Sequence, residues 1–277
     1  MNTYSIETRW LERPGGRIAY DVRGEGPLLL CMPGMGDLRQ SYRFLAPGLA
    51  AAGYRVATMD LRGLGESSAA WDDYGQRAMA EDALALVAHL GGPAVIVGHS
   101  FTPESAIWAA VQAPERVVGT VLLGPWARRP TLPAWKEFAV RRIVRSPWLW
   151  SLFYRALYPG TKPEDFSDYV RALRRSLRAP ERREAFARIA APEAVDALEA
   201  RERFEGPALI VMGDRDPDFA DPAAEAEAMR TSLSRSQARV VMIADCGHYP
   251  HAQRSAETAD AILTFLREIG HGDSAES

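Results

Sequence analysis

The residues of this chain that could do chemistry begin with a serine placed between two secondary-structure signals. Ser100 ends the tripeptide Gly98-His99-Ser100, which follows the apolar run of residues 94–97 and precedes a helical pattern. At a sharp turn from a strand into a helix, a serine hydroxyl stands clear of the backbone. The positive end of the helix and its free N–H groups can stabilise an oxyanion there. This placement predicts that Ser100 is a nucleophile and that the Phe101 N–H is an oxyanion donor.

A serine nucleophile needs a base, because its hydroxyl reacts poorly at neutral pH. His248 lies in the predicted loop after the last strand, where the active sites of open α/β sheets gather, and we interpret it as that base. His251, three residues later, is the competitor, and we expect it to point to solvent or to pack locally.

The base in turn needs an acid that fixes its tautomer and stabilises the imidazolium. Three aspartates occupy the turn of residues 213–218, after a predicted strand that ends at Met212. Turn chemistry alone is one explanation for such a cluster, because aspartate is common in turns. We choose Asp216 as the acid of a Ser100, His248 and Asp216 triad.

A second oxyanion donor is expected from the loop of residues 32–36, which follows a buried strand. Gly34 and Gly36 leave room for the backbone to approach a substrate, and the Met35 N–H is the predicted donor. A plain strand-to-loop turn is the alternative interpretation.

The elements that must position these residues alternate between strands and helices. The run of residues 27–32 is apolar without a break, which is typical of a strand buried on both faces of a parallel sheet. Further strands are predicted at residues 54–59, 94–97, 117–123, 207–212 and 239–243, with helical patterns between them. We therefore predict an α/β fold with a doubly wound, mostly parallel sheet. Residues 126–203 show only helical periodicity, so we expect a helical cap there, inserted into a core of residues 1–125 and 204–277. We expect the small, polar tail of residues 270–277 to be disordered.

Aromatic rings in the predicted cap, together with His99 beside the nucleophile, are candidates for the walls of an apolar substrate pocket. These candidates are His99, Trp126, Trp148, Phe153 and Tyr154. Packing of the cap against the core is the more common role of such rings.

Composition excludes several other classes of protein. A formal charge of −3 gives no basic field to attract nucleic acid. The two cysteines, Cys31 and Cys246, make neither a disulfide framework nor a metal site, and we expect no metal and no cofactor. The sequence starts without a signal-peptide pattern and contains no run long enough for a membrane span, so we expect a cytoplasmic protein with a small-molecule substrate. A homodimer stays open as an assembly.

Taken together, the motifs resemble the α/β-hydrolase superfamily, in the capped branch that includes esterases, thioesterases, C–C hydrolases and cofactor-free haloperoxidases. The motifs are Pro33-Gly34-Met35-Gly36, the segment of residues 60–67, Gly98-His99-Ser100, Gly213-Asp214-Arg215-Asp216 and Gly247-His248. Their order of serine, aspartate and histidine is the family's order. One departure is Thr102, followed by Pro103, where the family's Gly-x-Ser-x-Gly turn ends in a small residue; it implies a slightly altered turn.

The resemblance implies the α/β-hydrolase fold and a serine hydrolase that cleaves an ester or thioester of an apolar substrate through an acyl-enzyme. The same triad also serves C–C bond hydrolysis, lyase or cyclase chemistry. A non-catalytic ligand-binding protein on this fold is a third reading. Epoxide hydrolases and haloalkane dehalogenases share the cap and the acid turn, but they use an aspartate nucleophile, which Ser100 does not provide.

Overall fold

A single sheet organises the computed structural model of this chain, which describes residues 6–128, 133–191 and 197–272. Within these residues eight strands pair: β1 (Arg9–Arg13), β2 (Gly16–Arg23), β3 (Leu28–Met32), β4 (Arg55–Met59), β5 (Ala94–His99), β6 (Val117–Leu123), β7 (Ala208–Gly213) and β8 (Ala238–Ile243). Their order across the sheet is β1-β2-β4-β3-β5-β6-β7-β8. The pairs β1–β2 and β2–β4 are antiparallel, and the other five pairs are parallel. The prediction of a mostly parallel α/β sheet is confirmed.

Helices fill the connections between the strands. They are α1 (Leu45–Ala51), α2 (Gln76–Leu90), α3 (Pro103–Gln112), α4 (Ala134–Arg145), α5 (Pro147–Ala156), α6 (Phe166–Ser176), α7 (Pro180–Ile189), α8 (Ala197–Arg203), α9 (Pro222–Ser232), α10 (Pro250–Gln253) and α11 (Ser255–Glu268), with a 3₁₀ turn at Arg39–Tyr42. Among the described helices, none combines the length and the apolar character needed to cross a membrane.

Both faces of the sheet are covered, as the unbroken apolar strands predict. Every residue of β3, β5 and β7 is buried. Alternate residues point to opposite faces, so Leu30 packs in one hydrophobic cluster and its neighbour Cys31 in another. Helices α2 and α3 pack on one side, and α1 and α11 contact each other on the other side. This arrangement is the doubly wound sheet.

Between β6 and β7 the described residues form the five helices α4 to α8, joined by loops, and no strand. We interpret residues 126–203 as the cap. Residues 129–132 and 192–196 of this stretch lie outside the described residues. A partly buried ion pair ties the stretch to the core: the Nε and Nη2 atoms of Arg43 lie 2.6 and 2.5 Å from the carboxylate of Asp165. Such bidentate, charge-assisted contacts fix geometry as well as adding energy.

The end of the described chain differs from the prediction of a disordered tail. His271 is buried, and its Nε2 lies 3.1 Å from the carbonyl oxygen of Leu28. The hydroxyl of Tyr54 donates to the carbonyl of His271 at 3.0 Å. The prediction is therefore wrong for residues 270–272, because backbone and ring contacts hold them against the sheet. Residues 273–277 lie outside the described residues.

Candidate active site

The turn between β5 and α3 presents Ser100. Ser100 has a φ of 58°, in the left-handed region that non-glycine residues seldom occupy, and its N–H donates to the Leu123 carbonyl at 2.8 Å. Strand and helix pass closest at Gly98. A Cβ added at this glycine would lie 2.8 Å from the Pro103 nitrogen and the Thr102 carbonyl, too close for any other residue. The sharp turn therefore depends on Gly98, and it aims the serine side chain away from the sheet.

Thr102, the departure from the family pattern, is accommodated by hydrogen bonds. Its side chain is fully buried, and its hydroxyl accepts the His99 N–H at 2.9 Å. The same hydroxyl lies 3.0 Å from the Met32 carbonyl and 3.2 Å from the Pro33 carbonyl, to which it can donate. Since the tight backbone contact is at Gly98, position 102 has room for a threonine. Thr102 links the serine turn to the loop of residues 32–36.

His248 and Asp216 meet Ser100 because two loops at the carboxyl edge of the sheet touch. A Cβ added at Gly213 would lie only 2.1 Å from the Gly247 carbonyl, so glycine is required where the loops after β7 and β8 cross. The Nδ1 of His248 lies 2.6 Å from Asp216 Oδ2, and its Nε2 lies 2.8 Å from Ser100 Oγ. His248 and Asp216 are 1 and 2% exposed. The three predicted residues thus form one hydrogen-bonded chain.

A second carboxylate, that of Asp218, lies on the other side of the imidazole. Its Oδ2 is 3.6 Å from His248 Nε2. Burial lowers the pKa of His248, but the carboxylates of Asp216 and Asp218 outweigh it and raise the pKa to about 9. Burial also raises the pKa of Asp218. The sequence predicts Asp216 as the acid and gives Asp218 no role of its own; the signal for Asp218 is its place two residues after Asp216.

The loop of residues 32–36 lies directly over the serine turn. A Cβ added at Gly34 would come within 2.9 Å of His99 Nδ1 and 3.3 Å of Ser100 Cβ. The Gly36 carbonyl accepts the Trp150 indole N–H at 3.0 Å, which fastens the loop to α5. The loop is thus held between Ser100 and α5.

The five pocket candidates take different places. His99 is fully buried, and its Nε2 donates to the His248 carbonyl at 2.8 Å. Trp126 is half-buried, and its ring lies 4.8 Å from that of Phe219, which is 6.4 Å from the His248 ring. On α5, Trp148 and Phe153 are 57 and 37% exposed, whereas Tyr154 is buried. Of the five, His99 contacts the triad directly, and Trp126 approaches it through Phe219, which the sequence analysis did not single out.

His251, the competing base, is fully buried. Its ring stacks on Tyr42 with centroids 4.6 Å apart and lies 4.6 Å from the His99 ring. Burial lowers the pKa of His251 to about 3, so the ring stays neutral. The solvent-facing alternative is wrong, because α10 folds His251 back under the site; the local-packing alternative is correct.

A buried carboxylate next to the loop of residues 32–36 was not predicted at all. The Oδ1 atom of Asp37 accepts the Tyr169 hydroxyl at 2.6 Å and the Leu38 N–H at 2.8 Å. Its Oδ2 lies 3.4 Å from the Tyr154 hydroxyl. Burial raises the pKa of Asp37 to about 6 despite these hydrogen bonds. Both tyrosines belong to the cap, so Asp37 is a polar contact between the cap and the loop.

Among the described residues, Asp216, Asp218 and His248 also bring three metal-ligating atoms within 4.8 Å of one another. Both ring nitrogens of His248 are already engaged, one by Asp216 and one by Ser100. We therefore interpret the group as an acid and base relay and not as a metal centre.

Comparison with solved structures places the geometry in a known fold. A thermophilic esterase from Thermogutta terrifontis is 27% identical, with 96% of this chain and 99% of that chain covered and a TM-score of 0.78. A bromoperoxidase from Bacillus anthracis has a TM-score of 0.81 at 20% identity, covering 94% of this chain and 100% of that chain. At that identity the likeness concerns the fold alone.

Comparison with curated proteins gives a partial match. Bifunctional epoxide hydrolase 2 of Rattus norvegicus is 30% identical over 137 residues, which are 48% of this chain and 24% of that protein. The match thus spans about a quarter of the relative's length. The sequence model of the Alpha/beta hydrolase family matches residues 28–261, which include every strand from β3 to β8. The chain belongs to the alpha/beta hydrolase family.

Proposed function

We propose that this protein is a serine hydrolase that cleaves an ester or thioester of a small, apolar substrate through an acyl-enzyme. The hydrogen-bonded chain from Ser100 Oγ through His248 to Asp216, with distances of 2.8 and 2.6 Å, carries the proposal. This is the spacing at which a base can take a proton from a nucleophile and an acid can orient that base.

In the first half-reaction, His248 Nε2 takes the proton of Ser100 as Oγ attacks the carbonyl carbon. Asp216 holds the other ring nitrogen as the donor and stabilises the imidazolium. The imidazolium then protonates the leaving group, and the acyl group stays on Ser100. In the second half-reaction a water molecule takes the place of the serine hydroxyl, and the same proton transfers release the acid.

The negative charge of each tetrahedral intermediate needs preorganised donors, and we assign them to the N–H groups of Met35 and Phe101. Phe101 follows Ser100 in the turn that leads into α3, and Met35 lies in the loop that covers Ser100. Loss of one such donor costs about 3–4 kcal/mol of barrier in comparable sites.

The partial match to an epoxide hydrolase does not include the carboxylate nucleophile that epoxide hydrolysis requires. Epoxide opening of that kind forms an ester on an enzyme carboxylate, and Ser100 has no carboxylate to offer. The full-length likeness to an esterase supports acyl transfer on Ser100 instead.

A small-molecule substrate fits the formal charge of −3, because a chain with that charge has no basic field to attract nucleic acid. Cytoplasmic location and a homodimer stay predictions.

The test is intact-protein mass spectrometry after exposure to a fluorophosphonate. Wild type should gain one adduct, and Ser100→Ala should gain none, because only an activated serine attacks phosphorus. Ser234→Ala is the matched control: this serine is exposed, so its loss should leave the adduct in place. Labelling of Ser100→Ala, or an unlabelled wild type, would contradict the proposal. An adduct on Ser100 without turnover of simple esters would favour C–C hydrolysis, lyase or cyclase chemistry on the same triad.

A further inference from the structure

Asp218 has no role in the triad, yet it lies beside the reacting atoms. Its N–H donates to Asp216 Oδ1 at 3.0 Å, which fixes the backbone of residue 218 to the triad acid. Its Oδ2 is 3.6 Å from His248 Nε2, the ring nitrogen that faces Ser100. The side chain is 16% exposed, so it borders accessible space and is not sealed in the core.

The position of Nε2 determines what Asp218 would meet during turnover. Nε2 must come within hydrogen-bond reach of the leaving-group atom in order to protonate it. A carboxylate oxygen 3.6 Å from Nε2 therefore lies beside the first few atoms of the leaving group. The separation from Nε2 exceeds a hydrogen bond, so the carboxylate keeps acceptor capacity for a ligand.

Two aromatic rings lie near His248. Phe219 follows Asp218 in the chain, and its ring is 6.4 Å from that of His248 and 4.8 Å from that of Trp126. Both rings are half-buried. Aromatic faces attract cations, and the attraction is strongest for tryptophan. A carboxylate next to an aromatic pair has the chemistry to recognise a positively charged organic group.

We propose that Asp218, with the rings of Trp126 and Phe219, selects leaving groups that carry an ammonium group close to the scissile oxygen. The substrates would be esters of amino alcohols, and an anionic leaving group would be disfavoured by repulsion. This inference rests on the proposed hydrolase function and specifies one half of its substrate. Burial penalises the charge of Asp218, and His248 offsets that penalty only while its ring is protonated. An ammonium group beside the carboxylate would offset it in the neutral-ring state that attacks the substrate.

The test compares esters that share a butyryl group and differ in the leaving group. The substrates are butyrylcholine, 2-(dimethylamino)ethyl butyrate, the uncharged isostere 3,3-dimethylbutyl butyrate and the anionic ester of butyric acid with glycolic acid. Each kcat/KM is divided by the ester's rate of alkaline hydrolysis, which removes the intrinsic effect of the ammonium group. Wild type should prefer the cationic esters to the isostere by about tenfold or more, as expected for an interaction with a charged group.

Asp218→Asn should lower the ratio of cationic to uncharged esters several-fold, and the preference that remains should be the contribution of the two aromatic rings. Using a ratio cancels any change that the substitution causes in His248. Asp214→Asn is the matched control. Asp214 is exposed in the same turn, and the carboxylates that raise the pKa of His248 are those of Asp216 and Asp218, so removing the Asp214 charge should leave the ratio at the wild-type value. Melting curves of both variants verify that the fold is kept.

A measurement on wild type alone gives an independent answer. Tetramethylammonium should slow fluorophosphonate labelling of Ser100, whereas uncharged tert-butanol at the same concentration should not. Equal rates on cationic and uncharged esters, or a ratio unchanged in Asp218→Asn, would overturn the inference and leave the hydrolase proposal standing. If no ester is turned over and Ser100 is not labelled, both proposals fall.

Discussion

The rate at which a fluorophosphonate labels Ser100 should depend steeply on pH, because His248 can accept the proton of Ser100 only when Nε2 is unprotonated. Two carboxylates, Asp216 and Asp218, outweigh the effect of burial and raise the pKa of His248 to about 9. At pH 7 about one molecule in a hundred then holds a neutral imidazole. The labelling rate should rise about tenfold per pH unit from pH 6 to pH 8 and level off near pH 9.

Replacement of Asp218 by asparagine isolates one of the two causes. The Asp218 carboxylate, 3.6 Å from Nε2, stabilises the imidazolium of His248. Because the substitution removes this negative charge, the pKa of His248 should fall. The rising limb of the profile should move to lower pH, and each unit of displacement should speed labelling at pH 7 about tenfold. Asp214→Asn, in the same turn, should leave the midpoint close to that of wild type.

The assay is a time course of intact mass between pH 5.5 and pH 10 with a fluorophosphonate that is stable over that range. It needs no knowledge of the natural substrate, because it reports only the attack of Ser100. A wild-type midpoint near 6.5, the ordinary value for histidine, would refute the argument that two carboxylates govern the base. A midpoint that does not move in Asp218→Asn would assign the whole effect to Asp216.

Two further predictions concern the supports of the site. Thr102→Val removes the hydroxyl that accepts the His99 N–H, and the unpaired buried donor should lower the free energy of unfolding in urea by about 1–3 kcal/mol. Thr102→Ser keeps the hydroxyl and should be close to neutral. Equal stability of the two variants would contradict the role of the hydroxyl. The pKa of Asp37 is raised from 3.8 to about 6 on folding, so its stabilising contribution is complete below pH 3.8 and is lost as pH rises through 6. Relative to wild type, Asp37→Asn should therefore gain up to about 3 kcal/mol of stability between pH 3.5 and pH 8, and a difference that stays constant over this range in urea titrations would show that the carboxyl does not titrate as described.

The parts of the fold that the sequence predicts well are those in which local pattern and tertiary environment agree. The run Leu28–Met32 is apolar at every position because the sheet covers both of its faces, so the same pattern reports the strand and its burial. The hydrogen-bonded arrangement of Ser100, His248 and Asp216 was predictable for a related reason. Ser100, Asp216 and His248 each follow a strand at the carboxyl edge of a parallel sheet, and that edge brings distant loops together.

The parts that escaped prediction depend on contacts between residues far apart in the chain. Asp37 is bound by Tyr169, 132 residues away, and nothing near Asp37 in the sequence announces a tyrosine from the cap. His251 follows a proline in a loop, which favours exposure, but α10 turns it under the site against Tyr42. Asp218 is one of three aspartates in a turn, and only the approach of His248 from another loop distinguishes it from the others.

The left-handed backbone at Ser100 has a consequence for how this protein can evolve. A φ of 58° is comfortable for glycine and tolerable for asparagine, but it strains a serine, so the fold itself would be relieved by losing the nucleophile. A substitution of Ser100 by glycine should therefore keep the fold and remove the backbone strain, but it would also remove the hydroxyl. Under the proposed function, the chemistry of the hydroxyl is what would keep a serine at this strained position.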